Sequence, residues 1–212
     1  AAPRGGAGLV FIGNNCIDSG TERGYVDAFD ASTGRRLWRF YTMPGDPSKP
    51  FESKAMEMAS KTWGTNYWQK THGCVSPYDA MTFDPKLNLL YIGTGSPAPF
   101  NPLDRARDAG DERGSDSSVA GNASSGEYVW HYQTVQHDGW DLDATWQITI
   151  AELPVKGTKR RVLMTIPKNG FFYVLDAATG KFLSAGKYKS INWASHVDAK
   201  TGRPVTIPDA RY

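Results

Sequence analysis

A short turn motif recurs along this sequence and constrains the fold more than any other feature. The motif runs apolar residue, any residue, Asp or Asn, Ala, any residue, Ser or Thr, Gly, and it lies within 28–38, 120–130, 174–184 and, in a variant form, 196–205. An Asp or Asn side chain can hydrogen-bond the backbone of a turn, and glycine supplies the positive φ that such a turn requires. Each copy therefore predicts a β-hairpin, and hairpins in series predict a repeat protein.

Short strands are predicted through most of the remaining sequence. Gly and Pro contribute 22 and 13 of the 212 residues, more than an average chain has, as tight turns between many strands would require. Only residues 49–63 have helical character. Trp38 and Trp130 each lie four residues beyond a motif glycine, where each could pack against the neighbouring repeat. Serial four-stranded units of this kind indicate an all-β fold, a β-propeller. The predicted strands are 8–13, 24–30, 36–42, 128–134, 146–153, 160–167 and 170–176, with a strand–turn–strand unit at 83–95.

Composition excludes several classes of function. Apolar runs such as those at 9–12 and 89–92 are far shorter than the roughly 20 residues of a membrane helix, so no membrane span is expected. A net charge of +2 gives no reason to expect a nucleic-acid partner.

Cys16 and Cys74 are 58 residues apart and form no CxxC or CxxCH motif. We interpret each of them as a buried, small apolar side chain.

Two acidic residues, Asp141 and Asp143, are the strongest candidates for chemistry. In an extended segment, residues two apart point to the same face, so both carboxylates would lie together. Such a pair can bind a hard cation, or one member can act as a general base. The alternative is a pair of solvated loop aspartates. The neighbouring His137 and Asp138 would point to opposite faces of a strand, and we interpret them as structural.

The repeats and their flanking segments resemble the PQQ-dependent (quinoprotein) alcohol dehydrogenases of the methanol and ethanol dehydrogenase type. The similar segments are 23–52, 78–101, 137–147 and 167–185, so the resemblance covers nearly the whole chain. It implies an eight-bladed propeller with the quinone on its axis, above a metal ion. At roughly 40–50 residues a blade, residues 1–212 would form one partial propeller domain of about four or five blades.

The resemblance also implies roles for individual residues. Asp141 matches the catalytic base, and Lys168 matches the basic residue that hydrogen-bonds the quinone carbonyl oxygens, with Asn169 of the same turn a further candidate. Ser76 and Tyr78 stand where the family usually has Thr and Trp, and the Trp ring there forms the floor beneath the quinone. A tyrosine ring can stack in the same way with less area.

The metal ligands that the resemblance implies are partly altered. They would be Asp18, Ser96, Asp141 and Asp143, around calcium or a lanthanide ion. Ser96 replaces an Asn, and Asp18 stands nearest to the place of a Glu, with Glu22 the less favoured substitute. The extra carboxylate of Asp143 suits a trivalent ion, whereas the other two changes would weaken or rearrange metal binding.

The resemblance implies an oxidoreductase that oxidises a small alcohol by hydride transfer to metal-bound pyrroloquinoline quinone (PQQ). Electrons would pass to a cytochrome-type acceptor in the periplasm, and a homodimer is an open alternative for the assembly. A non-catalytic propeller, serving as a scaffold or binding module, is the competing hypothesis. Ser96 and Asp18 favour the scaffold, and the combination of Asp141, Asp143 and Lys168 favours the enzyme.

Overall fold

Four antiparallel sheets follow one another along the chain. The computed structural model describes residues 2–16, 22–71, 74–105 and 110–210. Within these residues, three sheets have four strands each and one has two. The first sheet contains β1 (Arg4–Gly6), β2 (Leu9–Gly13), β3 (Tyr25–Asp30) and β4 (Arg36–Tyr41), and the second contains β5 (Met81–Asp84), β6 (Leu89–Gly93), β7 (Ser117–Asn122) and β8 (Tyr128–Gln133).

The later sheets repeat this sequential order. The third contains β9 (Ile148–Val155), β10 (Thr158–Thr165), β11 (Phe171–Asp176) and β12 (Phe182–Lys187), and the fourth contains β13 (Ala194–Val197) and β14 (Pro204–Thr206). The first strands of neighbouring four-stranded sheets contact one another, β1 with β5 and β5 with β9. The sheets are therefore successive blades with their first strands side by side, as the serial hairpins predict.

The recurring motif forms the predicted turn in every copy. In the first copy, Asp30 Oδ1 accepts the N–H groups of Ser32 and Thr33 at 2.9 and 2.8 Å, and Gly34 has φ of 70°. These bonds satisfy turn donors that would otherwise need water, and the glycine adopts the left-handed conformation without strain. The same side-chain contacts are made by Asn122, Asp176 and Asp198.

Tryptophans join consecutive blades at these turns. The indole N–H of Trp38 donates to the carbonyl of Ala123 at 3.0 Å, and that of Trp130 donates to Ala177 at 3.1 Å. Each ring lies so close to the glycine of the next turn that a Cβ at Gly126 or Gly180 would stand 2.7 or 2.5 Å from a ring carbon. The motif glycine thus serves both the turn and the docking of the preceding blade.

Apolar side chains fill the spaces between adjacent blades. Phe11 of β2 packs with Leu90 of β6, and Tyr91 of β6 packs with Leu163 of β10 and Leu175 of β11. Successive residues of a strand point to opposite faces, so β6 supplies side chains to both of its neighbours. This explains why all five residues of β6 are buried.

Helical structure is confined to short segments outside the sheets. The predicted helix forms as α1 (Lys54–Ser60), where the Ser53 hydroxyl accepts the N–H of Met56 at 3.3 Å as an N-cap. Two segments that were not predicted, α2 (Tyr67–Thr71) and α3 (Pro102–Arg105), are also helical, and a 3-10 turn spans Pro208–Ala210. Among the helices of the described residues, none has both the length and the apolar character needed to cross a membrane.

The two cysteines differ from the sequence interpretation. Both side chains are buried, as expected, but Cys16 and Cys74 form a disulfide with a Cα–Cα distance of 5.5 Å. The interpretation of each as a small apolar side chain was wrong in that the two sulfurs are bonded, because the fold brings the segment after β2 next to the segment before β5. Closing a loop of 58 residues stabilises the fold by about 4 kcal/mol in the chain-entropy account.

Candidate active site

The two ends of the four-stranded sheets have different structures. One end, which we call the turn end, carries the hairpin turns between β1 and β2, β3 and β4, and their equivalents in later blades. The opposite end, the loop end, carries the connections between β2 and β3, β6 and β7, β8 and β9, and β10 and β11, together with residues 74–80 before β5. Antiparallel strands alternate in direction, so these connections all meet at one end. Every predicted site residue among the described residues lies at the loop end, and Asp18 is outside the described residues.

A lysine joins the two aspartates singled out from the sequence. Lys168 Nζ lies 2.8 Å from Asp141 Oδ2 and 2.7 Å from Asp143 Oδ2. The two aspartates were predicted to share one face of an extended segment, but residues 138–143 form a loop in which Asp141 has φ of 62°. They come together through the ammonium group instead.

Asp143 is the centre of this cluster. It is buried, and its Oδ1 accepts the backbone N–H of Ser96 at 2.8 Å, while the Tyr78 hydroxyl donates to its Oδ2 at 3.2 Å. Gly95 permits this close approach, since a Cβ there would stand 2.8 Å from Asp143 Oδ1. Asp143 therefore orients both Lys168 and Tyr78.

Charge and burial set the protonation states of the cation and the phenol. Burial lowers the pKa of Lys168, but its hydrogen bonds to Asp141 and Asp143 outweigh this and raise that pKa above its usual range. Burial raises the pKa of Tyr78. Near neutral pH the site therefore presents an ammonium ion and a neutral phenol.

A second, fully buried group of polar residues lies behind Asp143. The Ser96 hydroxyl lies 2.7 Å from Asp138 Oδ2 and 2.9 Å from Asp116 Oδ1. Burial, together with the nearby charge of Asp138, raises the pKa of Asp116 well above its usual value. Sequence reasoning missed Asp116 and gave Asp138 only a structural role. The order of the strands was the available signal. Ser96 follows β6 and Asp116 precedes the antiparallel neighbour β7, so both residues lie at the same end of the sheet.

Ser76 contacts both cysteines of the disulfide. Its hydroxyl accepts the N–H of Cys16 at 3.1 Å, donates to Asn15 Oδ1 at 3.2 Å and lies 3.3 and 3.2 Å from the sulfurs of Cys16 and Cys74. Tyr78, two residues further on, is about one-third exposed. The disulfide and Ser76 thus hold the segment that presents the Tyr78 ring.

Asn169 lies in the interior, which does not support the predicted contact with a quinone. Its amide donates to the Thr134 carbonyl at 3.2 Å and to the Tyr173 hydroxyl at 2.8 Å, and its carbonyl oxygen Oδ1 accepts the N–H of Phe171. The indole of Trp193 donates to its backbone carbonyl at 2.7 Å. These contacts fix the turn that carries Lys168, and we assign Asn169 this structural task.

The described residues do not form a ready-made metal site. Asp18 lies outside them, and within them no group of three or more His, Cys, Asp or Glu residues is arranged to hold a metal ion. The Lys168 ammonium occupies the position between Asp141 and Asp143, and the Ser96 hydroxyl is engaged with two other carboxylates. Metal binding by Ser96, Asp141 and Asp143 therefore stays a prediction.

The same groups do fit a planar molecule that carries carbonyl oxygens. Tyr78 offers a partly exposed ring for stacking, and the Lys168 ammonium, with 32% of its side chain exposed, can donate to an oxygen. The Asp141 side chain is 52% exposed beside them and can accept a proton.

Comparison with known proteins gives consistent matches over the whole chain. The family model described as PQQ, glucose/ethanol/alcohol dehydrogenase, β-propeller domain matches residues 2–195. The chain is 58% identical to lupanine 17-hydroxylase [cytochrome c] of a Pseudomonas species over 211 residues, which are 100% of this chain and 30% of that protein. It is 49% identical to quinohemoprotein alcohol dehydrogenase ADH IIB of Pseudomonas putida, again over 100% of this chain and 30% of the relative.

Solved structures agree with these matches. The quinohemoprotein alcohol dehydrogenase of Comamonas testosteroni superposes with a TM-score of 0.94 at 43% identity, over 99% of this chain and 31% of that one. A europium-containing methanol dehydrogenase gives a TM-score of 0.83 at 31% identity, over 98% of this chain and 37% of the other. The chain spans about 30% of the length of the curated relatives it matches. The predicted β-propeller architecture is confirmed.

Proposed function

The chain belongs to the PQQ-type glucose/ethanol/alcohol dehydrogenase β-propeller family, and on that premise we propose that it supplies part of the active site of an enzyme that oxidises an alcohol. The observation that carries the proposal is the Asp141–Lys168–Asp143 cluster beside the exposed Tyr78 ring at the loop end. A scaffold would have no need for these groups together at one exposed position.

Each group has a task in such a reaction. Asp141 is the general base that takes the proton of the alcohol hydroxyl, because it is the half-exposed carboxylate of the cluster. Lys168 donates a hydrogen bond to a quinone carbonyl oxygen and stabilises negative charge that develops there. The Tyr78 ring supports the plane of the quinone. PQQ, when bound, supplies the redox chemistry by accepting the hydride that leaves the alcohol carbon.

We also propose that a metal ion binds beside these groups. Calcium and lanthanide ions prefer several oxygen ligands, and Asp141, Asp143 and Ser96 would contribute oxygens at the loop end. Asp18 would be a further ligand. Loading this site would require Lys168 to move out from between the two carboxylates.

We further propose an electron acceptor of the cytochrome type and a periplasmic location. The names of the relatives, lupanine 17-hydroxylase [cytochrome c] and quinohemoprotein alcohol dehydrogenase, support a haem-containing electron acceptor. The Cys16–Cys74 disulfide supports an oxidising compartment, since disulfides form and persist in the bacterial periplasm and are rare in the cytosol. A homodimer stays a prediction.

The second candidate function is a non-catalytic propeller of the same family. The lack of a ready-made metal group among the described residues favours it. Reconstitution of the intact protein with PQQ and either calcium or lanthanum separates the two functions. Bound quinone absorbance and alcohol-dependent dye reduction support the enzyme, whereas absence of bound quinone with both ions supports the scaffold.

The role of Asp141 has its own test. In the reconstituted protein, Asp141→Asn should lower kcat by about 10²–10⁴-fold, the usual contribution of a general base, while PQQ remains bound. Asp198→Asn is the control, because Asn122 already forms the same turn contacts with an amide. An Asp141→Asn protein with wild-type kcat would show that another group is the base.

A further inference from the structure

The loop of residues 138–143, which we call the Asp141 loop, carries the exposed side chain of Asp141 and the buried side chain of Asp138. Asp141 has φ of 62°, a conformation that residues with a side chain rarely adopt. Such a conformation persists only where the surrounding structure holds it in place.

Asp138 supports the loop from within. Its Oδ1 accepts the N–H of Trp140 at 2.8 Å, and its Oδ2 accepts the N–H of Leu142 at 2.7 Å and faces the Ser96 hydroxyl at 2.7 Å. The residues on either side of Asp141 are therefore both tied to one buried carboxylate. These are charge-assisted hydrogen bonds, which are stronger than neutral ones.

Arg105 supports the start of the loop. Its side chain is fully buried and forms two hydrogen bonds to the equally buried Glu112, at 2.6 and 2.7 Å. The same guanidinium donates to the backbone carbonyl of Asp138 at 2.7 Å and to that of Pro99 at 2.6 Å. One planar cation thus fixes the Asp141 loop to the loop that follows β6.

We propose that Asp138 and Arg105 are positioning residues that fix the Asp141 carboxylate beside Lys168. The claim about catalytic rate rests on the proposed function, whereas the claim about loop geometry does not. Both residues act through hydrogen bonds to the backbone of the Asp141 loop.

The chemistry of an amide explains why Asp138→Asn tests this proposal. Both carboxylate oxygens of Asp138 accept backbone N–H groups, so an amide would leave one of these N–H groups facing another donor. At the turn end, a single oxygen of Asp176 accepts two backbone N–H groups, and Asn122 does the same in its own turn. Asp176→Asn is therefore the matched control.

Hydrogen–deuterium exchange of the intact protein, without substrate, measures how well the backbone amides of the Asp141 loop are protected. In Asp138→Asn, a peptide covering 138–143 should exchange at least about tenfold faster, because the amides of Trp140 and Leu142 lose a fixed acceptor. Asp176→Asn should leave that peptide unchanged. Arg105→Lys, which keeps the charge but cannot reach Glu112 and Asp138 together, should accelerate exchange to a smaller extent. Unchanged exchange of 138–143 in both variants overturns the proposal.

Kinetics of the PQQ-loaded protein then test the effect on rate. Asp138→Asn should lower kcat about 10²-fold with KM for the alcohol changed less than about twofold, as expected when a base is displaced by about 1 Å. The double variant with Asp141→Asn should be no slower than Asp141→Asn alone, because a positioning residue has no effect once its target is gone. Fully additive losses, or a wild-type kcat in Asp138→Asn, contradict the role in catalysis. An active Asp141→Asn protein would refute the proposed base, and the exchange experiment would still decide the positioning of the loop.

Discussion

The turn end and the loop end are built from the same strands but held by different contacts. At the turn end, each blade repeats one local device, in which Asp30 or its equivalent bonds residues two and three positions further on. At the loop end, the contacts join distant parts of the chain and differ from blade to blade. Ser76 meets Cys16 across 60 residues, and Ser96 meets Asp138 across 42. Contacts that repeat from blade to blade, within the turns and at the docking tryptophans, characterise the turn end, whereas contacts that occur once and join distant residues make the site.

Stability and activity should therefore respond to mutations at opposite ends. Tryptophan docking and turn hydrogen bonds belong to the turn end, and their loss should affect unfolding. Lys168 and its partners belong to the loop end, and their loss should affect catalysis with little effect on the fold. The following predictions test this separation.

The largest expected effect is on stability, from Trp130→Ala at the turn end. Removal of this buried ring should cost about 3–5 kcal/mol of unfolding free energy, because it leaves a cavity and ends the contact with Gly180 of the next blade. Chemical denaturation of the intact protein measures the cost. Trp146→Ala is the control, since this tryptophan of the loop end is 46% exposed and should cost less than about 0.5 kcal/mol. Equal costs would remove the distinction between the two ends.

An intermediate effect is expected from Lys168→Met at the loop end. Loss of the ammonium should lower kcat/KM about 10²-fold, about 2.7 kcal/mol in transition-state free energy, because the ammonium would stabilise the negative charge that develops on a quinone oxygen. The thermal unfolding midpoint should stay close to that of the wild type. Lys181→Met, directly after Gly180 at the turn end, should leave kcat/KM unchanged. A large loss of stability with Lys168→Met would show that the cluster is structural.

The smallest effect is a pH dependence of stability that Asp30 introduces at the turn end. Hydrogen bonds from the Ser32 hydroxyl and from the backbone and hydroxyl of Thr33 lower the pKa of Asp30 to about 2. Since the pKa is about 3.9 in the unfolded chain, the stabilisation is present above about pH 4 and is lost as the pH falls toward 2. Asp30→Asn should remove this component, so its unfolding free energy should change less between pH 4 and 2 than that of the wild type.

The reciprocal variant provides the control for this prediction. Asn122→Asp places an ionisable group in the equivalent turn and should add an acid-dependent loss of stability of the same sign. Denaturation curves at several pH values between about 4 and 2 measure both changes. If neither variant alters the pH dependence, then the turn carboxylate does not contribute to acid unfolding.

Much of the fold could be predicted because its signals are local. The motif glycines and the alternating strands each depend on neighbours within a few residues, and the helix at 49–63 was predicted for the same reason. The two docking tryptophans could be predicted because each lies four residues beyond a motif glycine, although their partners are in the next blade. Asp141 and Lys168 could be predicted as site residues only through the resemblance to a family. Their mutual contact across 27 residues was not part of that prediction.

The remaining features of the site depend on packing between blades. Nothing local in the sequence pairs Cys16 with Cys74, and the buried Arg105 and Glu112 look like ordinary surface charges in a polar loop. Asn169 was predicted to contact a cofactor, but the side chain turns inward, because Thr134 and Tyr173 offer it hydrogen bonds there. Ser96 likewise faces Asp116 and Asp138, two residues that come from other connections of the loop end.

By itself, the sequence determined the repeat, the turn chemistry and the class of fold, since these follow from backbone preferences and from the period of the apolar residues. The tertiary structure decided that Asp141 and Asp143 face Lys168. It also decided that Asp138 is buried behind them and supports the loop that carries Asp141. The physical reason is that the turns at one end of each blade form through contacts within a single hairpin. The arrangement at the other end forms only when loops from different blades meet. The burial of its side chains and the contacts among its charged groups exist only once the blades have packed.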